Sequence, residues 1–354
     1  MSQNDLQNTI RYNLLPDQVE NIPDTIDFWA NAYFQFEVTS SKATIKNQER
    51  VINLFKQFML NEVGDLQRMK WTPRLTSSFI DHLRKEVKEK DGVNQRRWSD
   101  NTIHTKIAHL KTFSKWIHKY KPFPLGDPTE KLKITPKSNN LDIERALSKS
   151  ERNIILDAAD KLLSSGGVSK DRNRFKNIKK RPKRRHYRPF RNRAIIYTLI
   201  ETGMRRSAVI KIDLHNVDFD KKIIAVIEKG GLTHKYKISQ EGLNAIETYI
   251  ERERSIDNER WNSPALFLTN SPNKKGDGRL TPQVINLIWK KICDDSKING
   301  KTPHSARHAM GKHIIEKTGN ISAVQRQLGH KNVAYSVAYA RIGDEELQKV
   351  LDDR

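Results

Sequence analysis

Residues 302–308 read TPHSARH, and the fold and the chemistry of the chain are worked out from this stretch. Residues 305–318 are predicted to be helical. His304 and Arg307 are three residues apart, so a helix beginning here places both on one face, where they converge on one anion. An arginine donates in a planar fork that suits phosphate oxygens. The stretch therefore predicts a phosphate-binding helix start.

Two further segments extend this site. Residues 202–207 read TGMRRS, residues 328–330 read LGH, and Tyr339 follows nine residues after His330. They add a guanidinium at Arg205, a second imidazole and a phenol that could be a nucleophile. Phosphoryl transfer without a metal needs arginines to hold the developing charge, and a tyrosine nucleophile would hold the phosphate covalently. No acidic cluster lies in these segments to hold magnesium.

Two other kinds of site are disfavoured. His304 and His308 are spaced like zinc ligands on a helix, but Arg307 lies between them and the glutamate of a metalloprotease helix is missing. Cys293 lies in an ordinary KICDD stretch without a hydrolase motif. Taken singly, each segment also has an ordinary interpretation, as a helix cap, a surface pair or a core tyrosine. Their combination is more specific than any one part.

This combination, in this order, resembles the tyrosine recombinase family, which includes phage integrases, Xer-type resolvases and integrase-like transposases. The resemblance covers residues 147–342 and, more loosely, the helical region before them. The family's hairpin lysine maps to Lys229, in the turn EKGG at 228–231. The predicted catalytic residues are therefore Arg205, Lys229, His304, Arg307, His330 and Tyr339.

The resemblance implies a mechanism. Tyr339 attacks a DNA phosphodiester to form a 3′-phosphotyrosyl bond, the two arginines stabilise the charge, and Lys229 protonates the leaving 5′ oxygen. His304 takes part in proton transfer with the tyrosine, and His330 hydrogen-bonds the phosphate. No ATP, metal or other cofactor is expected. The expected assembly is a homotetramer on two double-stranded DNA sites, which exchanges strands through a Holliday junction. The tail at 343–354 is expected to dock on a neighbouring protomer, with packing on its own domain as the alternative.

Several assignments stay open. Tyr335, four residues before Tyr339, is an alternative nucleophile, and Lys235 and Lys237 are alternatives to the hairpin lysine. His308 is expected to have a packing or supporting role. The family commonly has an acidic residue three positions after the first arginine, where this chain has alanine at 208. What orients the first arginine is therefore an open question.

Charge indicates the same kind of partner. The chain of 354 residues has 65 Lys+Arg against 42 Asp+Glu, a net charge of +23. Residues 170–193 hold 13 Lys/Arg and one acid, interleaved with aromatic residues, so about half of the excess lies there. Such a segment is typical of a loop that follows a nucleic-acid backbone; a solvated insertion is the alternative. The predicted DNA contacts are Lys106, Lys111, Lys115, Lys179, Lys180, Arg181, Lys183, Arg184, Arg185, Arg188 and Arg206.

The expected fold is mainly α with a small β-sheet (α+β), with a helical, SAM-like core-binding domain before the catalytic domain. The predicted segments are a tail (1–24), a helical DNA-binding domain (25–135), a linker (136–146), a catalytic domain (147–342, with a basic insertion at 164–193) and a tail helix (343–354). The single cysteine excludes an intrachain disulfide framework. The sequence has neither a signal-peptide pattern at its start nor a membrane-length apolar run. A cytoplasmic, nucleoid-associated prokaryotic protein is expected.

Within the family, the size and the basic insertion favour the integrase or transposase of a mobile element. A Xer-like chromosome or plasmid resolvase is the alternative, since such resolvases tend to be shorter. A type IB-like topoisomerase and a DNA-binding regulator with a decayed catalytic domain are the other readings. The complete six-residue set argues against the regulator.

Overall fold

The computed structural model describes residues 23–37, 41–90, 92–132, 145–164, 188–228, 231–270, 276–330 and 332–340. The chain divides into two compact units, Met1–Ser138 and Asn139–Arg354. This division falls inside the predicted linker, most of which lies outside the described residues. No helix in the described part of the chain is both long enough and apolar enough to cross a membrane.

The N-terminal unit is built around aromatic side chains. Phe55, Trp71 and Phe113 are fully buried, with ring centroids 4.7 Å apart for the first pair and 5.9 Å for the second. The last helix is predicted from an N-cap at 99–101 and from apolar residues that recur on one face: Ile103, Ile107, Leu110, Phe113, Ile117 and Tyr120. The first five of these are buried, Tyr120 is half-buried, and Ser99 Oγ accepts from Thr102 N at 3.3 Å, which confirms the cap. The elements are α1 (Ile26–Phe36), α2 (Lys42–Val63), a 3₁₀ turn (Arg68–Lys70), α3 (Pro73–Lys85), β1 (Val87–Lys90), β2 (Val93–Arg96) and α4 (Asp100–Tyr120).

The sequence pattern predicts a helix from Ser77 to Val87 and no strands after it, but the structure ends α3 at Lys85 and forms the β1–β2 hairpin next. Val87 pairs with Arg96 and Lys90 with Val93 in antiparallel register. Gly92 supplies the positive φ of 76° that a tight hairpin turn requires. Local turn chemistry therefore overrides the helical pattern on either side of it.

The C-terminal unit surrounds one buried helix, α6, whose residues 194–202 are all buried. The apolar run at 194–200, followed by Thr202-Gly203, predicts a buried helix that ends there; the structure confirms it, and Gly203 caps the helix at φ 67°. The helices of this unit are α5 (Lys149–Ser164), α6 (Pro189–Thr202), α7 (Arg206–Val209), α8 (Gln240–Tyr249), α9 (Ser255–Trp261), α10 (Pro282–Asp295), α11 (Pro303–Thr318), α12 (Ile321–Leu328) and α13 (Ala334–Val337). A π-helical turn at Ile250–Arg254 joins α8 to α9, and 3₁₀ turns lie at Leu214–Asn216 and Ala338–Ala340.

A small antiparallel sheet lies beside these helices, in the order β3 (Val217–Asp218), β4 (Ile223–Ile227) and β5 (Thr233–Lys237). The β-rich run IIAVIE at 223–228 predicts a strand, and the segment after it predicts a turn and a returning strand; β4 and β5 confirm both. Ile224 pairs with Tyr236, and both side chains are fully buried. Because alternate residues of a strand face the same side, this pairing directs one face of the hairpin into the core of the unit.

The bounds of the basic insertion need correction. The sequence pattern predicts that it runs to residue 193, because a proline such as Pro189 breaks a helix, but α6 begins at Pro189. A proline is well tolerated at the first helical position, because the N–H that it lacks has no partner within the helix there. Residues 189–193 therefore belong to the helix. Residues 165–187, which hold most of the basic segment, lie outside the described residues.

Candidate active site

Arg307 holds the three predicted motif segments together. Its side chain on α11 is 2% exposed; Nη1 donates to the carbonyl of Gly203 at 2.9 Å and Nη2 to the carbonyl of Leu328 at 2.5 Å. These carbonyls belong to the C-terminal ends of α6 and α12, where helix carbonyls lack partners within the helix. The arginine thus satisfies two helix ends and brings the segments 202–207, 302–308 and 328–330 to one place.

Local sequence explains how each segment reaches this place. Thr302 and Ser305 form a capping box that starts α11, with Pro303 at its first position. His304 is therefore exposed in the first turn, and Arg307 lies one turn further, inside. Gly203 lets α6 and α12 approach closely, because a Cβ there would lie 2.7 Å from Leu328 Cδ2.

Gln327 ties the hairpin to the same place. Its amide nitrogen donates to the carbonyl of Thr202 at 3.0 Å and to that of Lys237 at 2.8 Å. On the neighbouring face of β5, His234 Nε2 lies 3.2 Å from the Gln327 carbonyl. One glutamine therefore joins β5 and α12 to the end of α6. The sequence motifs gave no sign of this contact.

Tyr339 lies in the 3₁₀ turn after α13 and is 6% exposed. Its hydroxyl lies 2.8 Å from His308 Nδ1, and its ring packs over Gly311 of α11. A Cβ on Gly311 would lie 2.8 Å from two ring carbons of the tyrosine, so only glycine fits this contact without a shift. His308 is predicted from the sequence to have a packing or supporting role, but its contact with the phenol makes it a candidate for the chemistry.

His330 stands beside the tyrosine. The two rings are nearly parallel, at an interplanar angle of 4° and a centroid distance of 6.1 Å. His330 Nδ1 lies 2.9 Å from Ser336 Oγ, which fixes the orientation of the imidazole. Tyr335, the alternative nucleophile, also has its ring 6.1 Å from that of His330, but it is 40% exposed. Both tyrosines therefore lie near His330, the residue predicted to hydrogen-bond the phosphate.

The electrostatics of the site follow from burial beside arginines. Burial raises the pKa of the Tyr339 hydroxyl to about 12, an effect that Arg307 and Arg205 partly oppose. Burial and the same two arginines lower the pKa of His330 to about 3, and burial and neighbouring arginines also lower the pKa of His304. At neutral pH the site therefore holds a protonated phenol and neutral imidazoles around fixed positive charges.

Arg205 follows the glycine cap of α6 and precedes α7. Its Nη1 donates to Glu228 Oε2 at 2.6 Å, and its side chain is 40% exposed. Glu228 in turn accepts a hydrogen bond from the hydroxyl of Tyr236 on β5. Glu228 is not among the residues predicted from the sequence, although it stands next to the predicted hairpin lysine.

Lys229 itself lies outside the described residues, so its assignment stays a prediction. Of the two alternatives, Lys235 is exposed on β5. Lys237 donates from Nζ to the carbonyl of Lys221 at 3.2 Å, which commits its ammonium to the base of the hairpin.

An open cleft of about 600 Å³ lies next to these residues. Arg205, Arg206, Lys290 and His304 are among the side chains that line it. Arg206 is exposed at the start of α7, and its charge contributes to the lowered pKa of His304. The cleft therefore offers positive charge to a phosphate backbone.

The other predicted DNA contacts differ in whether their side chains are exposed, engaged within the protein, or outside the described residues. Lys115 is exposed on α4, whereas Lys111 donates from Nζ to the carbonyls of Glu130 and Leu132, at 3.3 and 3.0 Å. Lys106 Nζ lies 4.0 Å from the centroid of the Trp98 ring, and burial lowers its pKa. The predicted contacts that lie outside the described residues are Lys179, Lys180, Arg181, Lys183, Arg184 and Arg185.

The expectation for Arg188 is corrected by its contacts. Its Nε and Nη2 donate to the two carboxylate oxygens of Asp257, at 2.8 and 2.7 Å, and both side chains are largely buried. A bidentate pair of this kind commits the guanidinium to the protein interior. Arg188 thus fixes the chain before α6, and we remove it from the set of DNA contacts.

A phenol, imidazoles and arginines gathered beside a basic cleft are an arrangement that can carry phosphoryl transfer with a tyrosine nucleophile. Comparisons with known proteins agree with this class. Residues 171–346 match the phage integrase family, and residues 24–116 match the phage integrase SAM-like domain. The chain belongs to the tyrosine recombinase family, whose enzymes cut and rejoin DNA, and it has that family's two-domain fold.

Individual relatives are distant. The chain is 27% identical over 252 residues to tyrosine recombinase XerC of Roseiflexus sp. strain RS-1, covering 71% of each protein. It is 25% identical to tyrosine recombinase XerS of Streptococcus pyogenes serotype M2, covering 97% of this chain and 100% of the relative.

Solved structures share the fold at lower identity. XerH recombinase bound to its difH substrate has a TM-score of 0.62 at 15% identity, with 99% of this chain and 88% of that chain covered. The Tn1549 transposon integrase in complex with a circular intermediate DNA has a TM-score of 0.61 at 14% identity, with 93% and 98% covered. A lambda integrase tetramer bound to a Holliday junction has a TM-score of 0.57 at 12% identity, with 94% and 82% covered.

Proposed function

We propose that this recombinase exchanges DNA strands at specific sites through a 3′-phosphotyrosyl intermediate formed on Tyr339. The observation behind this proposal is the position of Tyr339, with its hydroxyl on His308 and its ring beside His330, within the electrostatic influence of Arg205 and Arg307. A buried core tyrosine has no need of two imidazoles and two guanidiniums around it, whereas a nucleophile attacking a phosphodiester does.

The chemistry balances without an energy source. Tyr339 Oη forms a bond to phosphorus as the bond from phosphorus to the 5′ oxygen breaks, and the leaving oxygen departs as a hydroxyl. A 5′-hydroxyl from the partner strand then attacks the same phosphorus and releases the tyrosine. One phosphoester replaces another at each step, so neither ATP nor a metal is required. We assign the proton for the leaving oxygen to Lys229, as general acid.

The two arginines have different duties in this proposal. Arg205 is partly exposed at the cleft and is placed to bind a non-bridging oxygen of the phosphate. Arg307 is buried and already holds two carbonyls, which uses only some of its N–H donors. Its remaining donors and its charge stabilise the transition state, while its bonds keep the three motif segments aligned.

The phenol must lose its proton as it attacks, and two imidazoles are arranged for this. His308 Nδ1 contacts the hydroxyl directly, and the ring centroids of His304 and His308 are 4.5 Å apart. We propose that His308 accepts the hydrogen bond from the phenol and that His304, at the exposed end of the pair, passes the proton to solvent or to the substrate. The lowered pKa of His304 keeps it neutral and able to accept.

DNA is the partner, and we propose that Lys115, Arg206 and the basic segment contact its backbone. Four protomers would assemble on two sites, each lending its tail at 343–354 to a neighbour. The tail lies outside the described residues, so support comes from the shared fold with the lambda integrase tetramer on a Holliday junction. Neutralising the Lys and Arg residues of 170–187 should flatten the salt dependence of DNA binding; an unchanged slope would leave this segment without a role in binding.

For the biological role, we propose the integrase or transposase of a mobile element. The concentrated basic segment supports it, as does a fold shared with the Tn1549 transposon integrase. A Xer-like resolvase is the second candidate. It is favoured by the alignment with XerS across the whole of both chains, which removes the argument that this chain is too long for a Xer recombinase.

The decisive experiment is to trap the enzyme covalently on a DNA library that includes host chromosomal sequence, and to sequence the DNA on Tyr339. Ends of an integrated element would support the mobile-element role, and a single chromosomal or plasmid site would support the resolvase. Relaxation of supercoils without pairing of two sites would instead indicate a topoisomerase. Binding without any adduct would indicate a regulator.

A further inference from the structure

We propose that Glu228, held by Tyr236, is the positioning residue for Arg205 and replaces the acid that the chain lacks at position 208. The inference rests on the proposed function, because it assigns a supporting partner to the arginine at the scissile phosphate. Position 208 is a buried alanine on α7, so no carboxylate is available three residues after Arg205.

The contact between Arg205 and Glu228 is short and directed. Nη1 of the arginine lies 2.6 Å from Oε2 of the glutamate, and the carboxylate side chain is 15% exposed against 40% for the guanidinium. A long arginine side chain at a cleft has several rotatable bonds, and an ion pair at one nitrogen restricts where the others point. The half of the guanidinium that is not paired is left to face the cleft.

Glu228 is itself fixed on two sides. Its Oε1 accepts the hydroxyl of Tyr236, a side chain with no exposed surface on β5. Its backbone N–H donates to the carbonyl of Leu232 at 3.0 Å, and its carbonyl accepts from Gly231 N at 3.2 Å, closing the hairpin turn. The carboxylate of Glu228 therefore has little conformational freedom, and its position determines where the guanidinium of Arg205 lies.

The buried phenol suits this purpose. Burial and the negative charge of Glu228 raise the pKa of Tyr236, so the hydroxyl stays protonated and keeps donating. A relay of a neutral phenol, a carboxylate and a guanidinium runs from the core of the sheet to the cleft. It preorganises the arginine before the phosphate arrives, which is where electrostatic catalysis gains most.

The test compares Glu228→Gln with Asp213→Asn. Asp213 pairs with Arg279 in the same unit, away from the cleft, so both variants lose one negative charge and one arginine pair. Cleavage is measured in single-turnover reactions on DNA whose nick lets the short 5′-hydroxyl strand diffuse away, and affinity by titration. We expect Glu228→Gln to cleave about 10- to 100-fold more slowly, with DNA affinity within about 2-fold of that of Asp213→Asn, which should cleave at the wild-type rate.

A double variant separates positioning from other effects. If Glu228 acts through Arg205, adding Glu228→Gln to Arg205→Lys should slow cleavage little further. Two losses that multiply, or a Glu228→Gln variant that cleaves at the wild-type rate, would overturn the inference. These failures differ from failure of the proposed function, in which the wild-type enzyme itself would form no adduct.

Discussion

Gly311 lies beneath the ring of Tyr339, and we predict that Gly311→Ala displaces this ring. A Cβ at position 311 would lie 2.8 Å from two ring carbons and 3.1 Å from Leu328 Cδ1. Ordinary carbon contacts begin near ~3.5 Å, so the ring must move by roughly 0.7 Å or more.

The expected magnitude combines two opposing effects. Alanine is a better helix former than glycine by about 1 kcal/mol, while overpacking a well-filled site costs about 1–3 kcal/mol. The net loss is about 0–2 kcal/mol, or up to ~8 °C in melting temperature for a unit of this size. A displacement approaching ~1 Å at the nucleophile is expected to slow cleavage by up to ~100-fold.

The assay pairs thermal unfolding with single-turnover cleavage. In a Tyr339→Ala background the ring is gone, so Gly311→Ala should become neutral or stabilising. An equal drop in melting temperature in both backgrounds would show that the alanine clashes with something other than the ring. Wild-type cleavage by Gly311→Ala would show that the position of the ring does not matter.

Three further predictions use the remaining contacts. Burial lowers the pKa of His330 to about 3 in the folded protein, against 6.5 for a free histidine, so its contribution to stability is complete above about pH 6.5 and is lost as pH falls toward 3. In denaturant unfolding, His330→Gln should therefore lose less stability on acidification than the wild type. An identical dependence of the unfolding free energy on pH in both proteins would contradict this. Arg188→Ala leaves Asp257 buried without this partner and should lower the free energy of unfolding by about 3–5 kcal/mol. The salt dependence of DNA binding should stay unchanged, because Arg188 does not contact DNA in this structure-based assignment. A weaker salt dependence would show that Arg188 does contact DNA. Lys115→Ala should reduce the slope of log binding constant against log salt concentration by about one. Lys111→Ala loses two hydrogen bonds to backbone carbonyls, so it should lower the melting temperature and leave that slope unchanged. The reverse pattern would exchange the roles of the two lysines.

The sequence predicted the parts of the site whose chemistry restricts residue type. Two local patterns in this site allow few other residue types: a glycine cap followed by an arginine, and a histidine three residues before another arginine. The structure brings the segments with these patterns together through the hydrogen bonds of Arg307. The buried stripe of α4 and the end of α6 were likewise predictable from periodicity and from Gly203.

The contacts that sequence analysis missed join residues far apart in the chain. Glu228 meets Arg205 across 23 positions, and Gln327 meets Thr202 across 125. No periodicity links such pairs, and the identity of a glutamate or a glutamine does not reveal its partner. Pro189 shows that a local pattern can also mislead. Proline breaks a helix when it lies in the interior, but it is favoured at the first helical position, so a proline alone does not tell whether a helix ends or begins there.

The whole proposed reaction depends on one covalent bond, between Tyr339 and DNA. The most direct measurement is mass spectrometry of the peptide that remains attached to nicked substrate after denaturation. We expect a phosphonucleotide on Tyr339 and, in Tyr339→Phe, retained DNA binding with no adduct. An adduct that persists in Tyr339→Phe, or one that maps to Tyr335, would contradict it.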